Sequence, residues 1–314
     1  MTEPKSSFVW YNGKLVPWEK ATVHVMSHAL HYGTSWFEGI RCYETRRGPE
    51  IFQFGEHVRR LFNSCKIYRT DIPFSPAEIE EAILETIRAN SLRACYIRPL
   101  IFRGYGELGV NPLKNPIDVV ILVWEWGRYL GEEGLEQGVD VCVSSWARAA
   151  PNTFPTLAKV GGNYINSTLI NMEATLKGYT EGIALDTNGL VSEGAGENIF
   201  VIQDGTISTP PMASAILPGI TRGAVITLAR ERGYPVIEEQ ISRERLYIAD
   251  EVFLTGTAAE VTPVRSVDGI AVGPGRRGPV TSRIQEDFFD YVGGEVEDRH
   301  GWMTSVYREA RVGA

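Results

Sequence analysis

A chain of 314 residues, 43% hydrophobic and 22% charged, has the composition of a soluble globular protein and the length for about two domains. Its net charge of −8, from 31 Lys and Arg against 39 Asp and Glu, opposes general attraction to nucleic acid or an anionic membrane. The best spanning candidate, "DVVILVWEWG", falls short of the roughly 18–20 apolar residues a membrane helix needs. "MTEPKSSF" lacks the basic-then-apolar pattern of an export signal, so a cytoplasmic location is expected. Cys42, Cys65, Cys95 and Cys142 are scattered, with no C-x-x-C, and read as small core residues.

In chain order, "FVWYNGKLV" predicts a hairpin turning at Asn12-Gly13, residues that accept the positive φ of a tight turn. "ATVHV" reads as a strand, as do "FEGIRCY" and "EIFQF", the last two separated by a polar, glycine-containing turn. From Glu56 to Tyr68 the period becomes helical, with Val58, Leu61, Phe62 and Cys65 on one side. Ser75-Pro76 starts a second helix, "AEIEEAILETIRAN", with acids near its positive end. The strand candidates "ACYIRPLIF" and "DVVILVWEW" follow.

"GRYLGEEGLEQG" then breaks the periodicity and is the best linker candidate. It divides the chain into a small N-terminal α/β domain (1–127), a linker (128–136) and a large C-terminal domain (137–314) that carries Lys159. The second part mixes strands ("VDVCVSSW", "GIALDTNG", "NIFVIQDG", "EVFLTGT") with helices ("NYINSTLINMEATLKG", "TRGAVITLARERG" and one from about Pro279). Hairpin turns at Asp186–Gly189 and Asp204-Gly205 favour antiparallel pairing over a doubly wound sheet, giving two mixed α/β (α+β) domains.

Three clusters could carry chemistry. Lys159 sits in "LAKVGGNYINS" among apolar residues and glycines; desolvation lowers a lysine's pKa and makes its amine a nucleophile toward carbonyls. "SEGAGENIF" presents Glu193 and Glu197 before a strand, and Glu193 could hold the ring nitrogen of a cofactor such as pyridoxal phosphate protonated. In "ILPGITRGAVITLARERG" a glycine and Thr221 open a helix whose free N–H groups suit a phosphate, and Gly256-Thr257-Ala258 forms a second anion-binding turn. Two rival patterns carry less. His24, His28 and His31 would share one face of a helix, but no carboxylate joins them at ligand spacing, so no metal is expected. "GAGENI" lacks the third glycine and the preceding strand of a dinucleotide fingerprint.

"HALHYGTSWFEGIRCY", "YIRPLIF", "NPIDVVILVWEWGRYLG", "SSWARAAPNTFPTLAKVGGNY", "SEGAGENIF", "LPGITR" and "FLTGTAAEVTPVRSVDGI" lie in order along nearly the whole chain. Together they resemble the branched-chain amino-acid aminotransferases, fold type IV pyridoxal-phosphate enzymes. The resemblance implies two mixed domains with the cofactor at their interface, and transamination of branched-chain L-amino acids with 2-oxoglutarate. Lys159 matches the lysine bonded to the cofactor aldehyde, Glu193 the partner of the pyridine nitrogen, and Tyr164 the tyrosine on the ring oxygen. Arg60 matches the arginine of the phosphate cup, although periodicity leaves Arg59 and Arg60 open; the backbone at Leu217, Gly219, Ile220 and Thr221, with Thr257, resembles the rest of that cup. Tyr96, Thr257 and Ala258 resemble the α-carboxylate site, and Arg98 the residue reaching the distal carboxylate of glutamate. Tyr32, Phe37, Gly39, Tyr129 and Tyr164 resemble the walls of the side-chain pocket, part of which is lent across a dimer interface, so a homodimer or higher homo-oligomer is implied. Trp36 departs from the family pattern, and its bulk beside Phe37 is expected to trim the pocket or favour aromatic substrates. Within the same fold the alternatives are a D-amino-acid or (R)-amine transaminase, or aminodeoxychorismate lyase.

Overall fold

The computed structural model of the protein describes residues 6–127 and 132–307. Over these the chain forms two compact units: residues 6–126, 158–162 and 290–307 make one, and 127, 132–157 and 163–289 the other. No helix among the described residues is long and apolar enough to cross a membrane.

The first unit opens with the expected hairpin, β1 (Phe8–Tyr11) and β2 (Lys14–Pro17), in which Asn12 and Gly13 take φ of 45° and 95°. The short helix α1 (His28–Tyr32) precedes β3 (Ser35–Phe37), β4 (Ile40–Thr45) and β5 (Gly48–Phe52). "ATVHV" is not a strand: residues 21–25 lack strand pairing, and of the three histidines His24 lies outside α1.

Helix α2 (Phe54–Ile67) buries Val58, Leu61 and Cys65, as the periodicity predicts, while Phe62 stays half-buried. Helix α3 (Pro76–Ala89) starts in a capping box. Ser75 Oγ accepts from Glu78 N at 3.3 Å and Glu78 Oε2 accepts from Ser75 N at 2.7 Å, an arrangement contributing about 1 kcal/mol. Its Ile79, Ile83 and Ile87 join the core of the unit together with β6 (Cys95–Arg103) and β7 (Ile117–Trp124).

The expected linker is undescribed over 128–131, and Glu132–Gln137 form helix α4. The second unit continues with β8 (Val139–Val143), α5 (Tyr164–Leu176), β9 (Glu181–Leu185), β10 (Val191–Gly194), β11 (Asn198–Gln203) and β12 (Thr206–Thr209). Then come α6 (Ile220–Glu231), β13 (Val236–Glu238), α7 (Arg243–Ile248), β14 (Glu251–Gly256), β15 (Glu260–Val267), β16 (Ile270–Ala271) and α8 (Pro279–Val292). The last strand, β17 (Met303–Ser305), returns to the first unit.

The first sheet runs β17-β5-β4-β6-β7-β1-β2 with β3 on β6, and its pairs are antiparallel. The second runs β10-β9-β8-β15-β14-β11-β12-β13 with β16 on β15. It is mixed: β8 pairs in parallel with both β9 and β15, whereas the hairpins at Asp186–Gly189 and Asp204-Gly205 are antiparallel as expected. Neither sheet is doubly wound.

Trp36 does not behave as its sequence neighbours suggest. Strand residues alternate faces, so Trp36 points away from the side shared by Ser35 and Phe37. It is buried in the core with Ile101 and Val160, its ring edge-on to Tyr68 at 5.8 Å. It fills the interior behind β3 and does not narrow a pocket beside Phe37. The change Trp36→Leu should therefore cost about 2–4 kcal/mol of stability in urea unfolding.

Candidate active site

In the first unit the site is built by a close approach of two backbones. Residues 158–162 lie along β3: Phe37 N donates to Lys159 O at 3.2 Å, Gly162 N donates to Gly33 O at 3.0 Å, and Trp36 bridges Val160. The glycines permit this. A Cβ at position 161 would overlap Ser35 Oγ, one at position 33 would meet Gly162 Cα at 2.9 Å, and Gly33 itself has φ of 67°. The second neighbour is α2, where Ser64 Oγ accepts from Lys159 N and donates to Arg60 O, both at 2.9 Å.

Lys159 is thereby held half-buried with Nζ 4.9 Å from the Phe37 ring centroid. Burial and the neighbouring Arg60 charge push its amine down to about 8, against an opposing pull from Glu38. Arg60 is buried on α2, whereas Arg59 is exposed and pairs with Glu56, so the structure separates the two arginines that periodicity could not.

Arg60 is gripped by Glu38, its Nε donating to Oε1 at 2.6 Å and its Nη2 to Oε2 at 2.8 Å, while His57 Nδ1 lies 2.7 Å from Oε2. Glu38 is wholly buried; burial alone would raise its carboxyl, but Arg60 and His57 hold it well below the usual range. Burial lowers His57. Glu38 and His57 escape the sequence reading, although a lone acid inside "SWFEGI" is a usable signal, because an ion in a dry interior needs a partner.

Of the expected substrate residues the same unit holds Tyr32, Phe37, Gly39, Tyr96 and Arg98. Tyr96 and Arg98 project from β6, and the Arg98 guanidinium lies 4.7 Å from the Phe37 ring centroid, 5.5 Å from Tyr96 and 6.0 Å from Trp124. Gly39 is glycine because a Cβ there would overlap the Tyr96 hydroxyl. Tyr32, at the end of α1, is exposed and stacks on His28 at 4.5 Å. His28 bonds Thr34 Oγ1 and Gly109 O, each at 2.8 Å, and among the described residues no group of three or more His, Cys, Asp or Glu is placed to hold a metal. Tyr129 lies outside the described residues.

The second unit holds Glu193, buried on β10 among donors. Its Oε2 accepts from Leu217 N at 3.0 Å and Asn198 Nδ2 at 3.1 Å, and Arg148 Nη2 stands 3.2 Å from Oε1. Arg148, also missed in the sequence, is buried and donates to Gly194 O, Ala195 O, Asn166 Oδ1 and Ser167 Oγ. The N–H of Leu217, expected in the phosphate cup, is thus directed at Glu193 instead.

Gly219 caps α6, and the first-turn N–H groups of Ile220 and Thr221 precede the first intrahelical bond, from Gly223 N to Gly219 O at 3.0 Å. Thr257 and Ala258 form the half-buried turn between β14 and β15, and Tyr164 is the first residue of α5. Glu197 has a different fate from Glu193. It is buried against Glu181, and burial with that second charge raises it well above the ordinary value.

The first unit thus holds an amine lowered to about 8 near an arginine fixed by a buried carboxylate, and the second, by itself, a carboxylate surrounded by donors and a helix that opens at Gly219. The amino-transferase class IV family pattern matches residues 35–267. The chain belongs to the class IV aminotransferases.

Members of this class use pyridoxal phosphate. A branched-chain-amino-acid aminotransferase of Escherichia coli strain K12 is 59% identical over 307 residues, covering 98% of this chain and 99% of the relative. The crystal structure of an Escherichia coli branched-chain amino acid aminotransferase matches with a TM-score of 0.95 at 58% identity, over 96% and 100% of the two chains. That of a branched-chain aminotransferase from the thermophilic archaeon Thermoproteus uzoniensis, with norvaline, matches at 0.92 and 40%, over 96% and 100%. Both likenesses confirm the fold type IV architecture.

The electrostatics of Lys159 are directly measurable in this aminotransferase. Mapping of amines that trap a small aldehyde on the cofactor-free chain under borohydride should give Lys159 a pH midpoint near 8. Glu38→Gln should move that midpoint lower by removing an anion that favours the charged amine, and Arg60→Met should move it higher.

Proposed function

We propose that this aminotransferase exchanges the amino group of branched-chain L-amino acids with 2-oxoglutarate, giving branched 2-oxo acids and L-glutamate. The observation that carries the reading is the cluster of Lys159, Phe37, Tyr96 and Arg98, in which one face offers both aromatic surface and a guanidinium. An aliphatic side chain would pack on the rings. The distal carboxylate of glutamate would take the Arg98 guanidinium, which is stacked on those rings and keeps its edges for hydrogen bonds.

Arg60, the α6 N-terminus at Gly219, Ile220 and Thr221, and Thr257 would hold the cofactor phosphate, while Leu217, its N–H taken by Glu193, would support the carboxylate instead; Glu193 would face the pyridine nitrogen, Tyr164 the ring oxygen, and Lys159 the aldehyde. When bound, the protonated ring draws electrons from the substrate Cα. Lys159 takes the Cα proton, a task its amine suits because a pKa of about 8 leaves a neutral fraction near physiological pH. Tyr96 and the turn at Thr257 and Ala258 would receive the α-carboxylate, while Tyr32, Gly39 and Tyr129 would line the side-chain pocket. Two half-reactions on one site give ping-pong kinetics.

Self-association is part of the same proposal. Val25, Leu30, Tyr105, Val110 and Leu113 are exposed on the first unit, Val110 by 87%, and the 24–32 and 105–113 segments meet where Ser27 bridges Tyr105 and His28 bonds Gly109. An apolar surface of this kind suits a second copy of the chain. The four free, buried cysteines suit the reducing cytoplasm.

In assays with 2-oxoglutarate, L-leucine, L-isoleucine and L-valine should turn over and D-leucine should not; activity confined to D-leucine would sink the assignment. Arg98→Met should raise KM for glutamate about tenfold or more and that for leucine by less than about threefold. Val110→Asp should shift the sedimentation equilibrium toward monomer.

A further inference from the structure

We propose that Asn198 is a positioning residue whose single side-chain amide sets the spacing between Glu193 and the α6 turn at Gly219, and so holds the two ends of the cofactor site in register. This rests on the reading of Glu193 as the partner of the pyridine nitrogen and of the α6 turn as part of the phosphate cup.

Asn198 is the first residue of β11 and is buried. Its Nδ2 donates to Glu193 Oε2 at 3.1 Å and to Leu217 O at 3.0 Å, and Leu217 N donates to the same Oε2 at 3.0 Å. Carboxylate, amide and backbone thus close a ring of three hydrogen bonds. Two acceptors facing one nitrogen also fix the orientation of the amide, since a flipped Asn198 would set its oxygen against a carboxylate and a carbonyl.

The other atom of the amide reaches the cup. Asn198 Oδ1 lies where a Cβ on Gly219 would sit, so any side chain at the cap of α6 would overlap it. Gly219 has φ of −68° and ψ of 129°, a conformation open to any residue, so its backbone gives no reason for glycine. The space beside it does. One face of Asn198 therefore sets Glu193 and the other sets the residue from which α6 starts, and the amide between them is too short to let the two drift apart.

A purely structural role would be to seat the first residue of β11, which pairs with Thr255. The experiment separates this from a spacing role, using the full-length chain and the variants Asn198→Leu and Asn198→Ala. Affinity is measured for pyridoxal phosphate and for pyridoxal, which lacks the phosphate, together with the pH midpoint of the visible absorbance of the bound phosphate form. In Asn198→Leu, which keeps the bulk but removes the donor, the preference for the phosphorylated compound should fall about tenfold. The absorbance midpoint should rise by about half a unit or more, because a Glu193 carboxylate that has lost a donor holds a proton on its partner more strongly. A folded variant in which neither changes, or in which only one end responds, overturns the proposal.

The steric half is tested without cofactor. Gly219→Ala should lower the melting temperature of the chain, and should lower it much less when made in the Asn198→Ala chain, where the space is vacated. An equal loss in the two backgrounds also overturns it. If the wild-type chain showed no preference for the phosphorylated compound, the assignment of the cup would fail, while the Gly219 comparison would still decide the contact with Asn198.

Discussion

The first unit depends on two stretches of backbone lying closer than side chains normally allow. Residues 158–162 and 33–37 bond to each other across Gly33, Gly161 and Gly162, and the tight fit leaves the Lys159 backbone one position, clamped by Phe37 on one side and Ser64 on the other. That fixes where the amine can be. It stands beside Arg60 in a dry setting, and such a setting would be costly for either cation without an anion. Glu38 is that anion, and its complete burial explains why it must be held by both Arg60 and His57. Burial first, and the Arg60 charge second, depress the lysine against the opposing pull of Glu38.

The second unit solves a related problem by sorting carboxyls. Glu181, Glu193 and Glu197 are all buried. Burial pushes Glu181 and Glu197, which face each other, above the ordinary carboxyl range, whereas Glu193 meets three donors in Arg148, Asn198 and Leu217 N. Glu193 and Glu197 are therefore set apart by their neighbours, although they look alike in the sequence.

This explains how far the sequence can be read. The Asn12-Gly13 hairpin, the Ser75 cap and the apolar side of α2 obey local rules, and the structure reproduces them. Strand β15 is hidden because Pro263 interrupts it and a proline lowers the strand signal; its pairing with β8 begins at Val264, past the missing donor. Adjacency along the chain misleads at Trp36, because strand alternation sends neighbours to opposite sides. Family patterns, not spacing, single out Lys159, Arg60 and Glu193 in the sequence. Glu38, His57, Arg148 and Asn198 act through other residues, and their importance follows from distances that no spacing in the sequence encodes.

The glycines make the same point more sharply. In isolation Gly39, Gly161 and Gly219 suggest flexible backbone or room for a ligand. In the structure each borders a specific oxygen: the Tyr96 hydroxyl, Ser35 Oγ and Asn198 Oδ1. None of the three has a positive φ, so conformational freedom is not what the absent side chain provides. What it provides is contact, because a polar atom that rests against backbone has little room to move. Residues around a reacting centre must be held to within a fraction of an ångström for binding and proton transfer to coincide. A glycine is then better read as the imprint of a neighbouring side chain, and the sequence records where that neighbour presses without naming it.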